Sequence, residues 1–161
     1  MSAGIVFAIV FLDRLTKWII QTQVSIWDSY TVIPNFFSIV HTQNPGAAFG
    51  LFAESSSEWR GVFLIGLSCM VMIFVAGMLW QSFRAPSTDS LILRIGLSLV
   101  LGGALGNLYD RVVAGTVTDF LLFYIGEYQW PAFNVADSAI STGACLLVLD
   151  MWKYRRPAVR A

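Results

Sequence analysis

Apolar residues fall in long runs along this chain, and charged residues collect at the ends of those runs. Positions 61–80 hold twenty residues without a charge, the length a helix needs to cross a bilayer core of about 30 Å. Positions 91–108 form a second run, with only Arg94 near its start, where a long side chain reaches the interface. Its glycines, Gly96, Gly102, Gly103 and Gly106, predict close helix packing, because small residues let backbones approach in lipid. A further run at 133–152 is uncharged between Asp137 and Asp150.

The start of the chain is less regular. The apolar run at 3–12 leads into Asp13, Arg14 and Lys17 before Trp18, Ile19 and Ile20. A cleavable signal peptide carries its charges ahead of the apolar run and a small-residue cleavage site behind it, the reverse of this order. Asp13 and Lys17 stand one helical turn apart, so they can form a structural ion pair that lowers the cost of burial. The pattern predicts a helix over 2–20. Residues 21–60 carry β-branched and aromatic stretches at 30–33 and 36–40, punctuated by Pro34 and by the turn Asn44-Pro45-Gly46. Short strands at the membrane surface are expected there.

The predicted fold is an all-α integral membrane protein with four transmembrane helices, at 2–20, 61–80, 91–108 and 133–152. A small β-rich extracytoplasmic segment lies between the first two helices, the outer loops are 21–60 and 107–132, and residues 1–161 form a single membrane-embedded domain. No internal repeat is visible. Arg84, Arg94, Lys153, Arg155, Arg156 and Arg160 gather at one side of this arrangement, which makes both termini cytoplasmic by the positive-inside rule.

Composition agrees with this picture: 57% of residues are hydrophobic and 12% charged, against about a quarter charged in soluble domains. Ten basic and ten acidic side chains give a net charge of zero, so nucleic acid is not an expected partner. Cys69 and Cys145 each lie inside an apolar run and read as small hydrophobes, neither disulfide-bonded nor nucleophilic. With one histidine and no Cys or His cluster, no metal site and no cofactor are expected. His41 reads as a surface residue and the tryptophans as interface anchors.

Polar residues are costly in a bilayer and persist where they pair or work. Here they concentrate at one membrane face. Asn107, Asp110 and Arg111 follow the third run, Asp119 sits in the strand-like stretch Val117-Thr118-Asp119-Phe120, and Asn134 and Asp137 stand three apart at the start of the last run. The outer ends of those two helices share a side, so Asp119 and Asp137 can approach. Two close carboxylates in a low-dielectric site cannot both ionise cheaply; one then holds a proton while the other acts as a base. Simpler readings stay open: Asn134 and Asp137 as a helix N-terminus, favoured by the dipole, and Asp119 as the partner of Arg111.

The segments Asp13-Arg14-Leu15-Thr16-Lys17, Asn44-Pro45-Gly46-Ala47-Ala48-Phe49, Gly103 through Arg111, Val117-Thr118-Asp119-Phe120 and Phe133-Asn134-Val135-Ala136-Asp137 together resemble the bacterial lipoprotein signal peptidases, or signal peptidases II. The resemblance runs in order along nearly the whole chain. It implies a multi-pass enzyme of the bacterial cytoplasmic membrane that removes signal peptides from prolipoproteins, cutting before a diacylglyceryl-modified cysteine. Membrane lipids are its other expected partners. Asp119 and Asp137 match the family's catalytic aspartates, and Asn44, Asn107, Arg111 and Asn134 match residues that line its substrate or inhibitor site. The cyclic peptide globomycin is the implied inhibitor. The outer segment with Phe49 and Phe52 is expected to cover the site.

Two rival functions fit less well. A serine–lysine peptidase needs a lysine near the outer face, but Lys153 lies in the cytoplasmic tail and Lys17 has Asp13 one turn away. A proton-coupled transporter would place its acids near the midplane and commonly carries an inverted repeat.

Overall fold

The computed structural model describes residues 1–26, 28–46, 59–84 and 90–153. In chain order these form helix α1 (Ser2–Gln23), strands β1 (Ser29–Ile33) and β2 (Phe37–Asn44), helices α2 (Trp59–Arg84) and α3 (Leu91–Ala114), strands β3 (Val117–Ile125) and β4 (Tyr128–Gln129), and helix α4 (Val135–Lys153).

Three stretches are long and apolar enough to cross a membrane, Gly61–Arg84, Leu91–Ala114 and Val135–Lys153. Helix α1, expected as a further span, is not among them. Helix α1 has 22 residues, long enough at about 33 Å, but Asp13, Arg14 and Lys17 interrupt its apolar character. The helices expose apolar side chains, bury an apolar core of Val75, Leu79, Leu97 and Val100 between α2 and α3, and bury polar groups as well. Phe7, Trp18, Val62, Ile73, Phe74 and Val148 are exposed, while Asp13, Lys17, Asn107 and Asp110 are buried.

Helix α3 is central and packs against α1, α2 and α4. Its closest approach is to α4: a Cβ added at Gly103 would lie 2.4 Å from the Ala136 carbonyl oxygen, so only glycine fits. At the other end of α3, Ser90 accepts from the Leu93 N–H as an N-cap and its hydroxyl donates to Asp150 of α4. Arg94 donates to the Ser82 hydroxyl and carbonyl, both at 2.9 Å, which ties the end of α2 to the start of α3.

The outer segment 107–132 is not a loop. Helix α3 runs on to Ala114, and β3 and β4 follow. The apolar run stops at Leu108, but the helix continues because its polar side chains find partners on α1 and near Gly46. The sheet likewise extends beyond the β-rich segment after α1. Strands β1, β2, β3 and β4 pair antiparallel in that order, with Phe37 opposite Phe123 and Thr42 opposite Asp119. Strand β3 therefore joins the sheet from the far side of the sequence. His41 is also buried, not at the surface. Its Nδ1 lies 2.7 Å from the Val24 carbonyl; a carbonyl only accepts, so that nitrogen carries the proton and caps the end of α1.

Beyond β4 the chain turns back against β3. Phe133 N–H donates to the Leu121 carbonyl at 3.1 Å, and its carbonyl accepts from Phe120 and Leu121 at 3.0 and 2.9 Å. Stacking of Phe123 on Phe133, with ring centroids 5.8 Å apart, and of Phe37 on Phe123 at 4.7 Å reinforces the join. This bridge sets Asn134 and the first turn of α4 beside Asp119.

Candidate active site

Asp119 projects from β3, held in register by β2, and Asp137 from the first turn of α4. Both line one cavity of about 380 Å³, with Asn44, Trp130, Pro131 and Phe133 among its other walls. The sequence places these carboxylates eighteen positions apart; the Phe133 bridge brings them together.

Asn134 joins them. Its side-chain Nδ2 donates to Asp119 Oδ1 at 2.7 Å, and its backbone N–H donates to Asp137 Oδ2 at 3.3 Å. Its Oδ1 accepts from the Asp137 N–H at 2.9 Å, which completes a reciprocal capping box at the N-terminus of α4. The helix-cap reading therefore holds for Asn134 and Asp137, and the capping residue also bonds Asp119. Asp119 receives a second hydrogen bond, from Asn44 Nδ2 to Oδ2 at 3.0 Å, and Asn44 Oδ1 accepts from the Gly46 N–H at 2.8 Å as an Asx turn.

Asn107 serves Asp137. Its Nδ2 donates to Asp137 Oδ1 at 2.7 Å, while its Oδ1 accepts from Lys17 Nζ at 3.0 Å. The ammonium only donates and the carboxylate only accepts, so the two contacts fix which way the amide faces. Arg111 donates to the carbonyls of Asn107 at 3.4 Å and Gly46 at 3.2 Å. It therefore braces α3 against the Asn44 turn, and it is not the hydrogen-bond partner of Asp119.

Beneath this layer lies a buried ionic network. Lys17 Nζ sits 2.9 Å from Asp13 Oδ2 and 2.7 Å from Asp110 Oδ2, and Asp110 also pairs with Arg14. Asp13 Oδ1 accepts from the Ala136 N–H at 3.0 Å, satisfying another orphan donor at the start of α4. The expected Asp13–Lys17 pair is present, but the sequence reading gave no role to Arg14 or Asp110. The signal was there: Arg14 follows Asp13 directly, and Asp110 is three positions from Asn107, on one face of α3. Asp13 fits because a Cβ at Gly106 would stand 2.6 Å from its Oδ2. Ser138, Ser141 and Thr142, which line the cavity beyond Asp137, were not anticipated either. Phe49 and Phe52 lie outside the described residues.

Burial, with the charge of Asp137 adding to it, pushes the Asp119 carboxyl up to about 7, against the hydrogen bonds from Asn44 and Asn134 and the Lys17 charge. A carboxyl titrating there exchanges a proton near neutrality. A pair of acids in one apolar-walled cavity, one of them titrating near 7, is suited to general acid and base work.

The model of the family described as signal peptidase (SPase) II matches residues 5–153. The chain belongs to that family. The lipoprotein signal peptidase of Solibacter usitatus is 49% identical over 156 residues, covering 97% of this chain and 91% of the relative. That of Desulforapulum autotrophicum is 45% identical over 140 residues, covering 87% and 84%. A solved structure described as a bacterial membrane enzyme superimposes with a TM-score of 0.81 at 33% identity, covering 99% of this chain and 93% of that one. Signal peptidase II membership makes the chain a multi-pass membrane protease of lipoprotein processing. The cavity between β3 and α4 is the candidate peptidase site.

Proposed function

We propose that this signal peptidase II is an aspartic endopeptidase that removes the signal peptide from diacylglyceryl-modified prolipoproteins, cutting before the lipidated cysteine. The observation that carries the reading is Asn134, whose side chain and backbone bond Asp119 and Asp137 at the wall of one cavity. At the working pH one carboxyl holds a proton and the other is ionised. The ionised group takes a proton from water as the water oxygen attacks the scissile carbonyl carbon, and the protonated group gives its proton to the carbonyl oxygen. The diol intermediate collapses as one hydroxyl returns a proton to the second carboxylate. The first carboxyl protonates the amide nitrogen and the C–N bond breaks. Both acids end as they began. Asn44, Asn107 and Asn134 hold the carboxylates in place; with Arg111 they form the wall expected to meet substrate and the inhibitor globomycin.

Helix α1 is proposed as the fourth span. Its exposed face is apolar, with Phe7, Phe11 and Trp18, and its charges point inward to α3 and α4. Both termini then lie in the cytoplasm of a bacterial inner membrane, and the sheet and cavity face outward. A cysteine placed at Ser87 should be labelled only from the cytoplasmic side.

Purified protein with a diacylglyceryl-modified prolipoprotein tests the activity. Cleavage before the lipidated cysteine, unchanged by a chelator, is the expected result; cleavage abolished by chelator or absent altogether would overturn the reading.

A further inference from the structure

The cavity continues past Asp137 along α4, where its lining is Ser138, Ile140, Ser141 and Thr142. Hydroxyls on apolar helices ordinarily back-bond to the carbonyl one turn earlier, which removes an unmatched donor from a medium without water. Ser68, Ser98 and Ser138 do so, at 2.8, 2.6 and 2.9 Å. Ser141 and Thr142 do not: both are exposed to the cavity, and neither has a hydrogen-bond partner among the described residues. They are two adjacent free donors in a wall otherwise formed by groups such as Trp130, Pro131 and Ile140.

We propose that the Ser141 and Thr142 hydroxyls bind the ester carbonyl oxygens of the diacylglyceryl group on the substrate cysteine. The inference rests on the proposed function above, and it adds which residues of α4 read the lipid. Ser141 is one turn from Asp137, a rise of about 6 Å into the helix. The glyceryl esters hang from the sulfur of the residue whose nitrogen leaves, a few bonds from the scissile carbonyl. With that carbonyl at the carboxyl pair, the esters fall at the depth of these hydroxyls.

An extended peptide is the competing ligand for the two donors. Peptide binding is better served by a free strand edge, because a peptide presents N–H and C=O groups together. Beside Asp119 both edges of β3 are taken, by β2 on one side and by Phe133 on the other. Esters present acceptors alone, which two hydroxyls satisfy. Past Thr142, the exposed apolar side chains of Val148 and Leu149 give the acyl chains a path beside α4.

The test compares two synthetic lipopeptide substrates, one with ester-linked and one with ether-linked chains, assayed in a detergent that carries no esters. The ether keeps the hydrocarbon and loses the carbonyl acceptors. For the unmodified enzyme kcat/KM should favour the ester by about ten-fold, the scale of one or two neutral hydrogen bonds. In Ser141→Ala/Thr142→Val the ratio should fall to about one. An unchanged ratio, including one in which both rates drop together, would overturn the proposal. Should the double variant lose turnover, the same ratio is read from the affinities of the two lipopeptides for Ser141→Ala/Thr142→Val carrying Asp119→Asn as well. Failure of the unmodified enzyme to cleave either substrate counts against the proposed function; equal cleavage of both counts against the lipid site alone.

Discussion

Lys17 Nζ lies 3.0 Å from Asn107 Oδ1, and the other end of that amide donates to Asp137 at 2.7 Å. One buried ammonium on α1 thus sets the orientation of the group that faces a proposed catalytic acid on α4. Lys17 has no exposed surface, and its remaining neighbours are the carboxylates of Asp13 and Asp110.

Replacing Lys17 by methionine should therefore do two kinds of damage. It strands two buried acids, a change that costs about 3–5 kcal/mol when one partner of a buried pair is removed, and it frees the Asn107 amide to turn. Thermal unfolding in detergent should show a large drop, and Asp13→Asn added to Lys17→Met should recover part of it. Additive losses in that cycle would show that the two residues do not act together.

Asp119→Asn and Asp137→Asn should each lower turnover by about 1,000-fold or more, within the range for loss of a general acid or base. Asparagine keeps the volume and polarity of the side chain, so folding and binding of globomycin should persist. Near-normal turnover by either variant on a lipidated substrate would reduce the pair to a helix cap and its neighbour. Arg111→Ala should act more mildly, mainly on binding and stability, because its hydrogen bonds go to two backbone carbonyls.

The pH dependence follows from the raised Asp119 carboxyl, at about 7. A group raised above its usual value holds its proton up to that point and gives it up as pH climbs further. With the singly protonated pair as the working form, kcat/KM should fall on the alkaline side with an apparent constant near 7, a property of the pair as a whole. Asn44→Ala removes a hydrogen bond that favours the charged form of Asp119, so it should move that limb to higher pH. A profile flat from pH 6 to 9 would contradict this assignment.

Gly106→Ala should displace Asp13, since the new methyl would stand 2.6 Å from its Oδ2, and so loosen the start of α4. Overpacking of this kind costs about 1–3 kcal/mol. Gly66→Ala and Gly77→Ala on α2 meet nothing within 4 Å among the described residues and should be near neutral or slightly stabilising. Equal melting temperatures for all three variants would show that α3 has more room than its packing implies.

Much of this architecture was legible in residue order. Uninterrupted apolar runs announced α2, α3 and α4, because a helix in lipid satisfies its own backbone and needs only length and apolarity. The spacing of Asp13 and Lys17 predicted their pair, and β-branched stretches marked β1 and β2. Asp119, Asp137, Asn107 and Asn134 stood out as polar residues that a bilayer tolerates only with partners, whereas Asn44 stood out as a turn residue and through the family resemblance. Tertiary structure decided the rest, since it depends on contacts between distant segments. The pairing of β3 with β2, the Phe133 bridge that sets Asn134 beside Asp119, the burial of His41 and the contacts of Arg14 and Lys17 on α1 with Asp110 and Asn107 on α3 each join residues far apart in the chain, so local spacing marks the residues but not their partners. Local pattern follows from how one segment meets its solvent; which carboxylate shares a cavity with which amide follows only once α3 has packed against both α1 and α4.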